Sequence, residues 1–226
     1  MTRPSRLQRG FTMVELMIGM AIGLFIVAAA TSLMTGNLRE NRSLMIESRL
    51  MQDLRTAADM ITRDLRRAGY WGAANAGVRS DVSTAVLMNP YVEVTPDNAA
   101  ADSVSFRFSR DATENNTVDS NEQFGFRLRN GALELQLGAG NWQALTDANT
   151  LTVTEFSVTP TVEEINLASF CATACAAGST TCPPKQQVRS LAVVISGRAA
   201  GDAKVTRSVR SQVRLRNDSI VGACPA

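Results

Sequence analysis

The sequence predicts an α+β protein in which one long N-terminal α-helix packs on an antiparallel β-sheet domain. Three observations carry that prediction. Residues 11–34 form an apolar run holding a single charge, Glu15, and at ~1.5 Å of rise per residue such a run is long enough to cross a bilayer. From Leu50 to Ala68 apolar side chains recur at spacings of three and four, the mark of a helix with one buried face. From Ala73 onward the period falls to two, and the dipeptide Asn130-Gly131 stands between two alternating runs, a strong signal for a type I′ hairpin.

Taken in order, residues 1–10 form a short basic leader carrying Arg3, Arg6 and Arg9. A secretory signal places its cleavage site after the apolar core, whereas here the small residue Gly10 precedes it. Cutting there would remove the basic residues and keep the helix. Residues 11–34 then form a transmembrane segment, and residues 35–72 continue the helix in amphipathic form to about Ala68, with Gly69 as the stop. This part contains no proline, so Gly36 is the expected point of local loosening. Gly19 and Gly23 form a small-xxx-small pair that permits close helix approach. The mixed charges Arg39, Glu40, Arg42, Glu47, Arg49, Asp53 and Arg55 read as a solvated face. Tyr70 and Trp71 are expected to pack where the helix meets the domain.

Residues 73–226 form the β-rich globular domain. Strands are expected over residues 85–88, 103–108, 124–129, 132–137, 151–158, 190–196 and 205–215, each alternating or rich in β-branched and aromatic residues. Short consecutive strands with turn signals imply an antiparallel sheet covering one helix face.

The stretch Arg9-Gly10-Phe11-Thr12-Met13-Val14-Glu15 resembles the type IV prepilin family, and the wording through Ala28 is similar to PilW-type minor pilins. The resemblance is strong from Arg9 to about Gly72, and the last run, ending at Asn217, is similar to the closing strand of minor pilins. It implies a type IV pilin-like fold, cleavage between Gly10 and Phe11 by a prepilin peptidase, and N-methylation of Phe11. It also implies that Glu15 meets the Phe11 amine of a neighbouring subunit in a filament core. An acid inside a membrane helix costs ~2.5 to 3.5 kcal/mol near the centre and calls for a partner. A glutamate that snorkels, or that favours its own helix N-terminus, is the plainer alternative.

Four cysteines, Cys171, Cys175, Cys182 and Cys224, fall late in the chain, and their spacing suits two disulfides better than a zinc site. Of three connectivities, Cys171 with Cys175 and Cys182 with Cys224 is the expected one, and Cys171 with Cys182 stays open. Residues 111–122 place Asp111, Asn115, Asp119 and Glu122 at calcium-loop spacing, but Asn116 replaces the turn glycine and the flanks read as strands. A hairpin connection is the blander reading. With no histidine, no phosphate loop and no third glycine after Gly138-Ala139-Gly140, no catalytic constellation and no cofactor site is read. The formal net charge of +2 drops to −1 when the three leader arginines are removed, which argues against direct nucleic-acid binding.

The expectation is therefore a structural subunit and not an enzyme. It would sit in the inner membrane by a single pass, with its C-terminal domain periplasmic, and then join a pilus at the cell surface. By resemblance its partners are the prepilin peptidase, membrane lipid, the inner-membrane assembly platform, other minor pilins and the major pilin. Its role would be to prime pilus assembly, supporting twitching motility, adhesion or DNA uptake. Two other readings stay open: a pseudopilin of type II secretion, and an uncleaved membrane-anchored periplasmic receptor or binding module.

Overall fold

Helix α1 spans Met13–Leu65 without interruption. The computed structural model describes residues 10–77 and 87–225; the leader arginines and the first half of the strand expected at 85–88 lie outside these residues. Two compact units divide the chain, residues 1–45 and residues 46–226. The first is helical wherever it is described beyond Thr12, and the loosening expected at Gly36 does not occur. Nothing surrounds that glycine, and helical hydrogen bonding on both sides carries the chain across it at the modest cost of one glycine.

In the second unit the amphipathic period does what the sequence dictates. Leu50, Leu54, Ala57, Ala58, Ile61 and Leu65 are buried along one face. Past Leu65 the helix tightens, with Arg67 N–H donating to the Asp64 carbonyl at 2.9 Å and Ala68 N–H to the Leu65 carbonyl at 3.1 Å. Gly69 then takes a φ of +74°, the left-handed conformation that ends a helix cheaply only for glycine.

Two sheets, where one was expected, cover the helix face. A five-stranded meander runs β1 (Val94–Thr95), β2 (Ser103–Arg107), β3 (Gln123–Arg129), β4 (Ala132–Leu137) and β5 (Trp142–Ala144), every neighbour antiparallel. A second sheet holds β6 (Leu151–Asn166), β7 (Lys185–Ala199) and β8 (Asp202–Arg214), with β9 (Ser219–Val221) paired to β7. An isolated bridge between Ala101 and Val158 links the two. Asn130 and Gly131 have φ of 52° and 75°, the type I′ turn expected between β3 and β4.

The core is shared by both sheets and the helix: Leu54 and Ile61 from α1, Phe106 and Phe126 from the first sheet, Val158 and Ile195 from the second. Phe108 and Phe124 stack at 4.0 Å between centroids with planes 6° apart, and the Arg67 guanidinium lies 4.1 Å above Phe108. That stack closes the core beside the helix exit. Trp71 is buried as expected, but Tyr70 is 52% exposed. Its carbonyl is the part held, accepting from Ser109 N–H at 2.9 Å.

The chain does not close at β8. Residues 215–218 interrupt the ladder and carry the chain on in the same direction, and β9 pairs with Lys185, Gln186 and Gln187 of β7.

Candidate functional site

Thr12 sets the N-terminus of α1. Its side-chain oxygen accepts from Glu15 N–H at 3.3 Å and its carbonyl from Leu16 N–H at 3.1 Å, so Thr12 caps and Glu15 occupies the third helical position. The Gly10-Phe11 peptide therefore lies just outside the helix. Phe11 is 84% exposed, and a Cβ added at Gly10 would meet no atom within 4 Å. The chain itself gives Gly10 no packing reason to be glycine.

From Met13 to Met34 the large apolar side chains all stand exposed. This is the one helix, among the described residues, long and apolar enough to cross a membrane, and none of its apolar stretch is buried. Its hydroxyls are compatible with lipid because they bond back to helix carbonyls: Thr31 to Val27, Ser32 to Ala29 at 3.2 Å, and Thr35 to Ser32 at 2.9 Å. Glu15 differs. Its carboxylate receives no hydrogen bond or ion pair from the described residues, so the first turn of an apolar rod presents an acid whose needs the single chain does not meet.

The second unit is the reverse. Glu114 accepts from Gly72 N–H at 3.0 Å, Asn116 N–H at 2.9 Å and the Tyr91 hydroxyl at 2.9 Å, and Trp71 Nε1 donates to Asn116 Oδ1 at 2.8 Å. Desolvation works to raise the Glu114 pKa, but these donors, with the Ser109 hydroxyl, outweigh it and hold the carboxyl below its ordinary range. Burial first, then the Glu114 carboxylate, push the Tyr91 phenol above the usual tyrosine range. This network pins residues 109–122 to the helix exit. A second clamp closes the same exit, where Asn217 Nδ2 donates to the Ala68 carbonyl at 2.9 Å and Arg189 Nη2 to the Asn217 carbonyl at 3.1 Å. Burial lowers the pKa of Arg189, with Asp218 opposing.

The spaced oxygens of residues 111–122 serve the same local purpose. Glu122 is wholly buried; its Oε1 accepts from Arg110 N–H at 2.7 Å and its Oε2 from Asp119 N–H at 2.9 Å, completing a capping box over a short 3-10 turn. Asp111 Oδ2 accepts from Asn115 N–H at 3.2 Å, and Asn115 Nδ2 donates to Asp119 Oδ2 at 2.9 Å. Asp111, Asn115, Asp119 and Glu122 thus bind one another and the backbone. Among the described residues no three acid, cysteine or histidine groups gather to hold a metal.

The disulfides are Cys171–Cys224 and Cys175–Cys182, which corrects the expected pairing. The reason is β9. Its antiparallel register on the start of β7 carries the tail beyond Lys185, alongside the β6–β7 loop, where Ala223 N–H donates to the Thr181 carbonyl at 2.9 Å. Cys224 therefore arrives at Cys171, and Cys175 and Cys182 close the loop on itself around the turn at Gly178.

Sequence reasoning placed Gly10, Phe11 and Glu15 without the Thr12 cap, although Thr12-x-x-Glu15 is a capping-box spacing. It also passed over Glu114, Tyr91 and Arg189, whose bonds to Gly72, to each other, and to Val92 and Asn217 span more than 20 residues and leave no local signal. An exposed, acid-bearing apolar helix behind an unpacked glycine, leading into a β domain with its own core, is a pilin-like architecture.

The comparisons agree. The family described as Prokaryotic N-terminal methylation motif matches residues 5–31. The chain belongs to the family described as Prepilin peptidase-dependent protein B, which matches residues 43–215. No curated protein and no solved structure matches it. The chain is thus a type IV pilin-like protein, structural in kind; its family supports processing by the prepilin peptidase, and its apolar helix and prepilin motif are consistent with membrane anchoring.

Proposed function

We propose that this chain is a minor pilin that helps to prime type IV pilus assembly. The peptidase cuts between Gly10 and Phe11, and Phe11 is then N-methylated. The helix waits in the inner membrane with residues 73–226 periplasmic, then exchanges lipid for the helices of other minor pilins and the major pilin at the assembly platform.

The observation that carries this reading is Glu15, the lone acid of the exposed apolar helix, unpartnered among the described residues. Cleavage would create an α-amino group on Phe11, four residues before Glu15 and about one helical turn away. A chain cannot easily turn its own first residue back onto that carboxylate, because Thr12 already caps the helix. A neighbouring subunit, displaced along the filament axis, brings its amine there without strain. Two buried charges then satisfy each other where each alone would be costly.

Deleting the gene and scoring both surface pili and secreted exoproteins tests the role. Loss of piliation with normal secretion is expected. Lost secretion with normal piliation assigns the chain to a type II secretion pseudopilus instead. Unchanged pili and secretion, with an uncut chain, assigns it to a membrane-anchored receptor.

A further inference from the structure

The sheet formed by β6, β7 and β8 turns one face to the core and the other to solvent, and its register separates the charges on the outer face by sign. Glu155 lies opposite Ser196, and Ser196 opposite Ser208; Val194 lies opposite Arg210, and Ser190 opposite Arg214. The alternation of the strands puts Glu155 and Glu163 in the outward row of β6, and Arg210 and Arg214 in that of β8. The row on β6 contains no basic residue, and the row on β8 contains no acid. Between them, over the span opposite residues 155–163, β7 offers short side chains, Ala192 and Val194 among them, over which another surface can approach closely; the exposed Arg198 stands one step beyond, opposite Thr152 and Thr206.

An outward face bearing both signs on opposite flanks is complementary to itself. We propose that a second copy of this chain docks on it, with the two-fold axis running along β7. That axis lays the β6 row of one copy over the β8 row of its partner and does so twice, as an isologous contact requires. The levels match to one pair step: Glu155 is one step from Arg210, and Glu163, opposite Val188, is one step from Arg214. An axis across the strands would instead set acid on acid and base on base. A partner of one charge would use only half of the face, so the occupant that uses all of it is another copy.

Two features keep the contact weak. Arg214 also pairs with Asp218 at 3.1 Å. The patch measures roughly 26 by 14 Å at the usual strand spacing and rise, about 700 Å² over both copies, which is below the range of stable interfaces and in that of transient ones. Arg210 has no ion pair among the described residues, and Glu155 is held upright by the Ser196 hydroxyl at 2.7 Å. The attraction should therefore be reversible and sensitive to salt.

Sedimentation equilibrium of the full chain in non-ionic detergent tests this, since every variant keeps the apolar helix and with it any association through that helix. The unaltered chain should form a dimer that dissociates as salt rises. The double variants Glu155→Arg/Glu163→Arg and Arg210→Glu/Arg214→Glu should each weaken self-association by about tenfold or more. An equimolar mixture of the two should restore it as a heterodimer, which also shows that both remain folded. A monomeric unaltered chain, equal association of each double variant alone, or no gain on mixing would overturn the proposal.

Discussion

The two units of this chain treat their chemical needs in opposite ways. In residues 46–226 these polar groups are met from within: at the helix exit Glu114 by three donors and the Ala68 carbonyl by Asn217, and further back Arg207 on β8 by Glu47 of α1. In residues 10–45 the apolar side chains are uncovered, and Glu15 is unmet by the described residues. The contrast separates stability from assembly. What a folded chain satisfies alone maintains its fold, and what it leaves unsatisfied must be met by lipid, an enzyme or another subunit.

Substitution at Gly10 should give the largest effect. Because nothing packs there, Gly10→Leu should leave the fold unchanged yet abolish trimming, so immunoblots of membranes would show only full-length precursor. Normal trimming would remove the peptidase from the account. Glu15→Val comes next: cleavage should proceed, while incorporation into sheared pili falls severely. A mutant that assembles normally would show that the acid serves only its own helix end.

A matched pair probes the contrast directly. Leu54 is fully buried and Leu24 is 72% exposed. Leu54→Ala should cost the β domain about 2–5 kcal/mol, whereas Leu24→Ala should change its stability by less than about 0.5 kcal/mol. Chemical denaturation in detergent measures both, and equal losses would blur the division. Cys171→Ser, which opens the clamp on the tail, should cost about 2–4 kcal/mol.

The smallest expected effect is a pH dependence at Glu114. Its folded pKa is depressed, so its contribution is present above the unfolded carboxyl value and is lost as pH falls through the folded one. Glu114→Gln should therefore flatten the fall of melting temperature on the acid side. An unchanged acid limb would mean that other carboxylates govern it.

Wherever the pattern is local, the sequence could be read. The turn at Asn130-Gly131, the boundaries of β4, the buried stripe on α1 and the stop at Gly69 each depend on neighbours within a few residues. The second sheet was harder to read. β6 runs on past Val158 through Pro160 and the pair Glu163-Glu164, which interrupt alternation. Pro160 is tolerated because β6 is an edge strand, with β7 alone beside it in the sheet order. β9 is only three residues long and gains its register from β7, so the disulfide pairing that depends on it was hidden too. The assembly determinants reversed this order. Gly10, Phe11 and Glu15 fall in one short stretch, inside the residues that the methylation-motif family matches, and so are readable as a local pattern.

Intact-mass and N-terminal analysis of the chain isolated from its native membrane tests the central claim most directly. The account predicts a polypeptide that lacks its first ten residues and begins with N-methylated Phe11. A chain that still begins at Met1 would contradict it.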